Sequence, residues 1–236
     1  MLIAAGNFFF HWRNTLFPFA CLLVLLPGER IFADPLQAAA LGFVIALLGQ
    51  AVRIVTIGYE YIIRGGRDRR VYAENLVTEG VYSVSRNPMY VGNLLILLGL
   101  TVSSDSWTCV AIAVPLFVFV YIAIVAAEEN FLRGKFGDAF NRYCADVPRW
   151  LPGPGQLSAL LKQGRFHWKR VVVKEYGTPM GWITMLMLVM LWQLRRAGLL
   201  DAHRQSLAVL LALFGVLCVA YLTVRVLKRS RRLVAD

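Results

Sequence analysis

Charged residues are scarce in this sequence, and their scarcity excludes most classes of soluble protein. Asp, Glu, Lys and Arg make up 17% of the 236 residues, whereas 58% are apolar. A soluble domain typically has about 25% charged and about 45–50% apolar residues. A disordered chain is excluded as well, because it needs low hydrophobicity and a high share of charge. The composition is therefore that of a polytopic membrane protein.

Cysteine and histidine are also few and dispersed. The cysteines are Cys21, Cys109, Cys144 and Cys218, and the histidines are His11, His167 and His203. The cysteines form no CxxC pair, and neither residue type occurs at the spacing of a metal site. We therefore expect buried, unreactive thiols, no disulfide framework and no bound metal.

Six apolar runs approach the roughly 20 residues that a helix needs to cross about 30 Å of hydrocarbon. They lie at 14–33, 36–57, 88–104, 106–127, 179–197 and 205–227. Pro27 and Arg30 interrupt the first run, for which an earlier start near Phe8 is the alternative. Only a few residues join the third and fourth runs, which predicts an antiparallel hairpin. The sequence thus predicts an all-α polytopic membrane bundle of about six transmembrane helices, with cytoplasmic catalytic loops and interfacial helices.

The basic residues predict the orientation of the chain. The net charge is +11, and in so apolar a chain this excess indicates loops beside anionic lipid rather than nucleic-acid binding. Lys and Arg concentrate between runs four and five, after run six, and between runs two and three at Arg64, Arg67, Arg69, Arg70 and Arg86. By the positive-inside rule these segments lie in the cytoplasm, together with both termini and the active site.

The loop after the fourth run predicts helices on the membrane face. Apolar residues recur there at helical spacing, at Leu132, Phe136, Phe140 and Tyr143. We expect them to continue the fourth span as one amphipathic helix. The Pro- and Gly-rich residues 147–155 then end any helix. Residues 157–174, which include Phe166 and Trp168, are expected to lie at the interface.

Asn87 and Pro88 begin the third run as a helix. Asn is a preferred N-cap, and Pro costs nothing at the first helical position, where the missing N–H would have no partner in the helix. The helix N-terminus, with Arg86 beside it, predicts a site for a carboxylate or phosphate. Tyr90 lies just inside and offers a ring and a hydroxyl. The alternative is an ordinary capped transmembrane helix with an interfacial tyrosine.

Glu128 and Glu129 end the fourth run. Carboxylates at the hydrocarbon boundary are costly unless they face water or a cation, and the helix dipole disfavours anions at a C-terminus. This favours a functional role over a pair of solvated charges. The two side chains point about 100° apart, so we expect only one to face inward. Gln50 and Arg53 likewise share a polar face, unless Arg53 extends to the interface.

Two motifs flank the predicted hairpin, LVTEGVYSVSRNPMYVG at residues 76–92 and EENFLRGKFGDAFNRYCADVPRWLP at residues 128–152. In this order they resemble the isoprenylcysteine carboxyl methyltransferase and phospholipid methyltransferase group of integral membrane enzymes. The resemblance covers residues 41–152. We accordingly divide the chain into an N-terminal transmembrane segment (1–40), a methyltransferase core (41–155), and a basic interfacial segment with two C-terminal transmembrane helices (156–236).

The resemblance implies S-adenosylmethionine as the methyl donor, bound in a pocket beneath the cytoplasmic segments. Carried over by position, the cofactor contacts fall on Leu76, Val77, Tyr82, Asn87, Pro88, Met89, Tyr90 and Glu128, and the helix start adds Arg86. If the acceptor must lose a proton, Glu129 and Tyr90 are the candidate catalytic residues.

Two residues depart from the pattern of this group. Asn87 stands where many relatives have His, and an amide cannot titrate, which argues against a general base there. Ile124 lies one turn before Glu128, where the isoprenylcysteine branch is expected to have an arginine for the substrate carboxylate. The apolar residue argues against that substrate.

The resemblance therefore implies methyl transfer to a lipid-soluble acceptor, which the sequence leaves open among phospholipid amines, thiols and isoprenoid-type carboxylates. An NADPH-dependent membrane sterol or steroid reductase is the alternative enzyme. A non-catalytic lipid-binding or transport protein is a third reading, although the repeated halves and broken helices typical of transporters are missing. The last two spans either shape the lipid entrance or mediate self-association.

Overall fold

The computed structural model describes residues 1–60, 71–153 and 165–233, and within these ranges it contains only helices, turns and loops. The α-helices are α1 (Leu2–Cys21), α2 (Pro35–Tyr59), α3 (Pro88–Ser103), α4 (Trp107–Phe136), α5 (Asp138–Asp146), α6 (Trp168–Glu175), α7 (Gly177–Arg196) and α8 (Arg204–Arg229). The predicted all-α class is confirmed. Arg64, Arg67, Arg69 and Arg70, on which part of the orientation argument depends, lie outside the described residues.

Five helices of the described chain are long and apolar enough to cross a membrane. Four of them, α2, α4, α7 and α8, contain the predicted runs almost completely. The first span begins at Leu2 and ends at Leu25 in a 3₁₀ turn, so the prediction of 14–33 was wrong and the earlier start was correct. The predicted third span forms as α3 but has only 16 residues, which span about 24 Å and fall short of the hydrocarbon thickness.

Helices α2 and α3 pack with their backbones in close contact at small residues. A Cβ added to Gly49 would lie 2.6 Å from the carbonyl oxygen of Gly92. Small residues at such positions let membrane helices approach closely. A Cβ on Gly92 would also meet Cγ of Arg53 at 2.5 Å. This glycine therefore leaves room for a buried arginine on the neighbouring helix.

Helix α1 runs antiparallel to α4. Gly6 lies against the backbone of Ala123, whereas Phe17, three turns later, stacks on Phe117. Residue numbers therefore rise along α1 as they fall along α4. The start of α1, the end of α2, the start of α3 and the end of α4 consequently lie together, at what we call the site end of the bundle.

Asp105 fixes the opposite end of the bundle, in the turn between α3 and α4. Its backbone has a φ of 48°, which Asp tolerates better than most residues. Its buried carboxylate accepts hydrogen bonds from the backbone N–H groups of Ile31 and Phe32 at 3.0 and 2.9 Å, and from Nε of Arg30 at 2.8 Å. One side chain thus ties the segment after α1 to the hairpin.

We predict that Asp105→Ala lowers the thermal unfolding temperature of the protein in detergent. The change leaves two backbone N–H groups without their acceptor, which costs about 1–3 kcal/mol for each buried group. The ion pair with Arg30 adds little, because that arginine is half exposed. Asp201→Ala, at an exposed aspartate, is the control, and an equal unfolding temperature for the two variants would contradict the prediction.

Candidate active site

A cavity of about 930 Å³ opens at the site end, between α1, α3, α4 and residues 71–77. This volume is large for a small-molecule site, for which about 300–1,000 Å³ is usual. The cavity is lined by all nine residues that the sequence assigned to the cofactor, namely Leu76, Val77, Tyr82, Arg86, Asn87, Pro88, Met89, Tyr90 and Glu128. Glu129 lines it as well. The fold therefore brings the two motifs together around one space.

The start of α3 is where the sequence predicts it, but Asn87 has a different function there. Pro88 occupies the first helical position, and the backbone oxygen of Asn87 accepts the N–H of Tyr90 at 3.0 Å. The Asn87 side chain makes no capping bond. Its Nδ2 instead donates to the carbonyl oxygen of Arg149 at 3.0 Å. The predicted side-chain cap was wrong, because the amide is used to bind the second motif.

Tyr90 and Glu128 join the two motifs directly. The Tyr90 hydroxyl donates to Oε1 of Glu128 at 2.6 Å, from α3 to α4. The ring of Tyr121 lies beside that of Tyr90, with centroids 5.3 Å apart. A carboxylate flanked by aromatic rings is a suitable environment for a cation. The expectation that the two glutamates end the helix was wrong, because α4 continues for two further turns to Phe136, and the helix dipole therefore does not act on them as it does at a terminus.

Glu129 is held by two arginines. Its Oε1 forms an ion pair with Nη1 of Arg86 at 3.1 Å and accepts from Nε of Arg149 at 3.0 Å, and its Oε2 accepts from Nη2 of Arg149 at 2.5 Å. The hydrogen bonds with Glu129 raise the pKa of Arg149 above its usual value. The expectation that only one glutamate faces inward was wrong. Both line the cavity, because their partners lie on neighbouring sides of it.

Residues 147–151 form a strap across the base of α3. The backbone N–H of Arg86 donates to the carbonyl oxygen of Pro148 at 3.0 Å, and the Ser85 hydroxyl donates to that of Trp150 at 2.6 Å. Together with the Asn87 bond and the Glu129 ion pairs, these contacts hold the strap at three successive residues of the first motif. The VPRW part of the second motif therefore fixes the start of α3, where Arg86 and Asn87 line the cavity.

Helix α5 supports the wall formed by the first motif. The sequence predicts one continuous helix from the fourth span to Tyr143, but the chain breaks at Gly137, whose φ is 51°. A residue with a side chain is strained in this conformation, whereas glycine is not. The break lets Tyr143 donate from its hydroxyl to the carbonyl oxygen of Tyr82 at 2.7 Å. Burial raises the pKa of Tyr143, which keeps it a donor.

A buried polar network lies next to the cavity, and the sequence predicted its residues on α2 but not their partners. Arg53 and Gln50 share a face of α2 as expected, and both donate to Glu175 at the end of α6. Arg53 is therefore buried and paired, and the alternative that it extends to the interface was wrong. Arg53 also donates to Asn93 on α3, and Trp182 of α7 donates to Gln50 at 3.0 Å. The missed partner, Glu175, was visible as the only carboxylate directly before the fifth apolar run.

Residues of α1 also line the cavity, among them Phe10, Arg13, Asn14 and Phe17. The sequence places residues 1–40 outside the core, because neither motif extends there. Arg13 and Asn14 are polar residues inside an apolar run, and such residues in a membrane span indicate a functional site by default. That signal was available in the sequence and would have identified α1 as part of the wall.

The fold and the cavity define a polytopic helical membrane protein with a site built from two motifs on either side of a helical hairpin. Comparison with protein families matches residues 38–139 to the phospholipid methyltransferase model. Over these residues, somewhat less than half of its length, the chain is similar to the phospholipid methyltransferase family. The match covers most of α2, all of α3 and α4, and the first motif, whereas α1 and the helices from α6 onward lie outside it.

Three curated relatives illustrate the range of similar proteins. A nickel-cobalt-cadmium resistance protein of Alcaligenes xylosoxydans xylosoxydans is 30% identical over 56% of this chain and 59% of its own length. A protein-S-isoprenylcysteine O-methyltransferase of Arabidopsis thaliana is 31% identical over 47% of this chain and 57% of its own length. An uncharacterized protein of Haemophilus influenzae is 40% identical over 27% of this chain and its whole length. The chain thus spans little more than half of the first two, and no solved structure matches it.

We predict that Glu129→Gln releases the strap. The change removes the charge that holds Arg86 and Arg149, although the partial exposure of Arg149 moderates the loss. Hydrogen exchange at the N–H of Arg86, which is bonded to Pro148, should become faster by about an order of magnitude, because local opening becomes easier. Asp146→Asn, at an exposed carboxylate next to the strap, is the control and should leave this exchange rate unchanged. Equal rates in wild type and Glu129→Gln would mean that the strap is held without the ion pairs.

Proposed function

We propose that this protein is an S-adenosylmethionine-dependent methyltransferase that acts on a lipid-soluble acceptor. The main support is the hydrogen bond between Tyr90 and Glu128 inside a cavity lined by both motifs of the family. The names of relatives such as the isoprenylcysteine O-methyltransferase support the reaction class. The volume of the cavity leaves space for a donor and part of a lipid acceptor.

The charges around the cavity fit a zwitterionic donor. Glu128, with the rings of Tyr90 and Tyr121, provides an anionic and aromatic environment for a sulfonium. On the other side, Nε of Arg86 is buried and has no hydrogen-bond partner in the described chain. A buried donor without a partner costs free energy, and a carboxylate of the donor molecule would satisfy it. Leu76, Val77 and Met89 supply apolar wall for the rest of the molecule.

The donor would supply an electrophilic methyl group on a positively charged sulfur, an excellent leaving group. The protein then needs mainly to orient the reactants and keep water out. Tyr90 holds the Glu128 carboxylate in place, and the strap holds Asn87 in the cavity wall. Where the acceptor must lose a proton, Tyr90 and Glu129 remain our candidates. Both oxygens of Glu129 already bind arginine, and the Tyr90 hydroxyl already donates to Glu128, so either would have to exchange a partner to accept the proton.

We further propose that the site end faces the cytoplasm, with both chain termini on that side. The described basic residues in the last turn of α8, Lys228 and Arg229, lie at this end, where Lys228 donates to the carbonyl oxygen of Val173. The acceptor would be a phospholipid amine, a thiol or an isoprenoid-type carboxylate.

The division of the chain at residues 40 and 155 is kept as a proposal, with α1 as part of the wall of the site. For α7 and α8 we propose one of two functions: they shape the lipid entrance, or they mediate self-association.

Binding of the donor to the purified protein in detergent tests the proposal. We expect saturable binding of S-adenosylmethionine, and Glu128→Gln and Tyr90→Ala should each weaken it by about an order of magnitude, because a charge or a stacking ring is lost. Tyr90→Phe, which keeps the ring, should have a smaller effect. Glu29→Gln, at an exposed carboxylate on the opposite end of the bundle, is the matched control.

The other readings of the sequence predict different results. Binding of NADPH without binding of S-adenosylmethionine would support a reductase and contradict our proposal. Binding of neither would support a lipid-binding protein. Membranes that contain the protein, supplied with methyl-labelled donor, should incorporate label into an extracted lipid, and the identity of that lipid would name the acceptor.

A further inference from the structure

Arg13 places a positive charge in the wall of the cavity from α1, outside the part of the chain that matches the family. Its guanidinium lies over the ring of Phe10, 4.3 Å from the ring centroid. Phe10 precedes it by one helical turn, so the side chain points back along α1 toward the site end. The residue is half-buried.

The helix register places Arg13 deeper in the membrane than Glu128. Phe10 packs in one cluster with Val120 and Ile124, and Phe17 stacks on Phe117. Arg13 lies between these two phenylalanines on α1 and therefore faces the stretch 117–124 of α4. Glu128 lies beyond that stretch by one turn. The backbone of Arg13 thus lies deeper than Glu128, and its guanidinium extends back from there toward the site end, over the ring of Phe10.

No carboxylate of the described residues lies within ion-pair distance of Arg13. The ion pairs of these residues involve Arg30, Arg53, Arg86 and Arg149. The neighbours of Phe10 on α4, Val120 and Ile124, are apolar. A cation in a membrane-spanning helix is costly unless it faces a polar cavity or a partner. The cavity therefore contains a cation that forms no direct ion pair with a carboxylate of the described residues.

We propose that Arg13 binds an anionic oxygen group, a carboxylate or a phosphate, on the methyl acceptor. This inference rests on the proposed function, because the anion is taken to belong to the second reactant. The carboxylate of the donor already has a suitable partner in Arg86 at the site end. A lipid acceptor reaches the cavity from the bilayer, where Arg13 lies. The planar guanidinium binds carboxylate and phosphate oxygens through paired hydrogen bonds.

Binding of simple lipid anions to the purified full chain tests this proposal. The probes are radiolabelled palmitate and hexadecyl phosphate, with hexadecanol as the neutral match, in micelles of a neutral detergent with and without S-adenosylmethionine. We expect the wild type to bind at least one anion about tenfold more tightly than hexadecanol, and Arg13→Gln to lose that advantage. Arg13→Lys should keep part of it. The anion that is preferred distinguishes a carboxylate from a phosphate acceptor.

The donor and a control variant separate this proposal from the proposed function. Arg13→Gln should bind S-adenosylmethionine within about twofold of wild type, which also shows that it is folded. Arg196→Gln, at an exposed arginine on α7, should behave as wild type in every assay. Equal anion binding by wild type and Arg13→Gln would overturn the proposal, as would a loss confined to the donor. Failure of the wild type to bind the donor would overturn the proposed function, whereas the anion measurements without donor still decide the role of Arg13.

Discussion

The hydrogen bond from Tyr90 to Glu128 connects the start of α3 to the end of α4, and the cavity depends on that connection. The two residues are far apart in sequence, and only the hairpin turned by Asp105 returns one to the other. The bond gives a partner to a carboxylate inside a membrane-spanning helix, where an unpaired acid would be costly. Because Glu129 follows directly, its ion pairs with Arg86 and Arg149 hold the strap against the same helix start. One adjacent pair of acids thus fixes both the Tyr90 contact and the strap.

The sequence predicted well those features that depend on local pattern. Apolar runs predicted α2, α7 and α8, and Pro88 predicted the start of α3. The residues predicted from the two motifs meet around one cavity. Contacts between distant segments were not accessible in this way. The partner of Arg53, Glu175, is separated from it by 122 residues, and only packing brings them together. The break at Gly137 was missed because apolar spacing alone does not reveal a residue with positive φ.

The buried network around Arg53 explains how helices outside the family core are attached to it. Arg53 lies on α2, inside the core, whereas Glu175 and Trp182 belong to α6 and α7. A buried charge that lost its partner would be strongly unfavourable. The later helices are therefore fixed to the wall of the cavity rather than simply appended in the bilayer. The same arginine lines the cavity, so both parts of the chain contribute to one site.

The short length of α3 has a consequence for how the protein meets the lipid around it. A helix too short for the hydrocarbon normally thins the bilayer locally, at a modest cost per ångström of mismatch. Here the turn that ends α3 is capped from within, because Ser104 and Asp105 are buried beneath the segment that follows α1. The polar turn is thus shielded from the hydrocarbon by protein, and the bilayer does not have to thin for lipid headgroups to reach it. The hairpin should consequently tolerate membranes of differing thickness without strain at its tip.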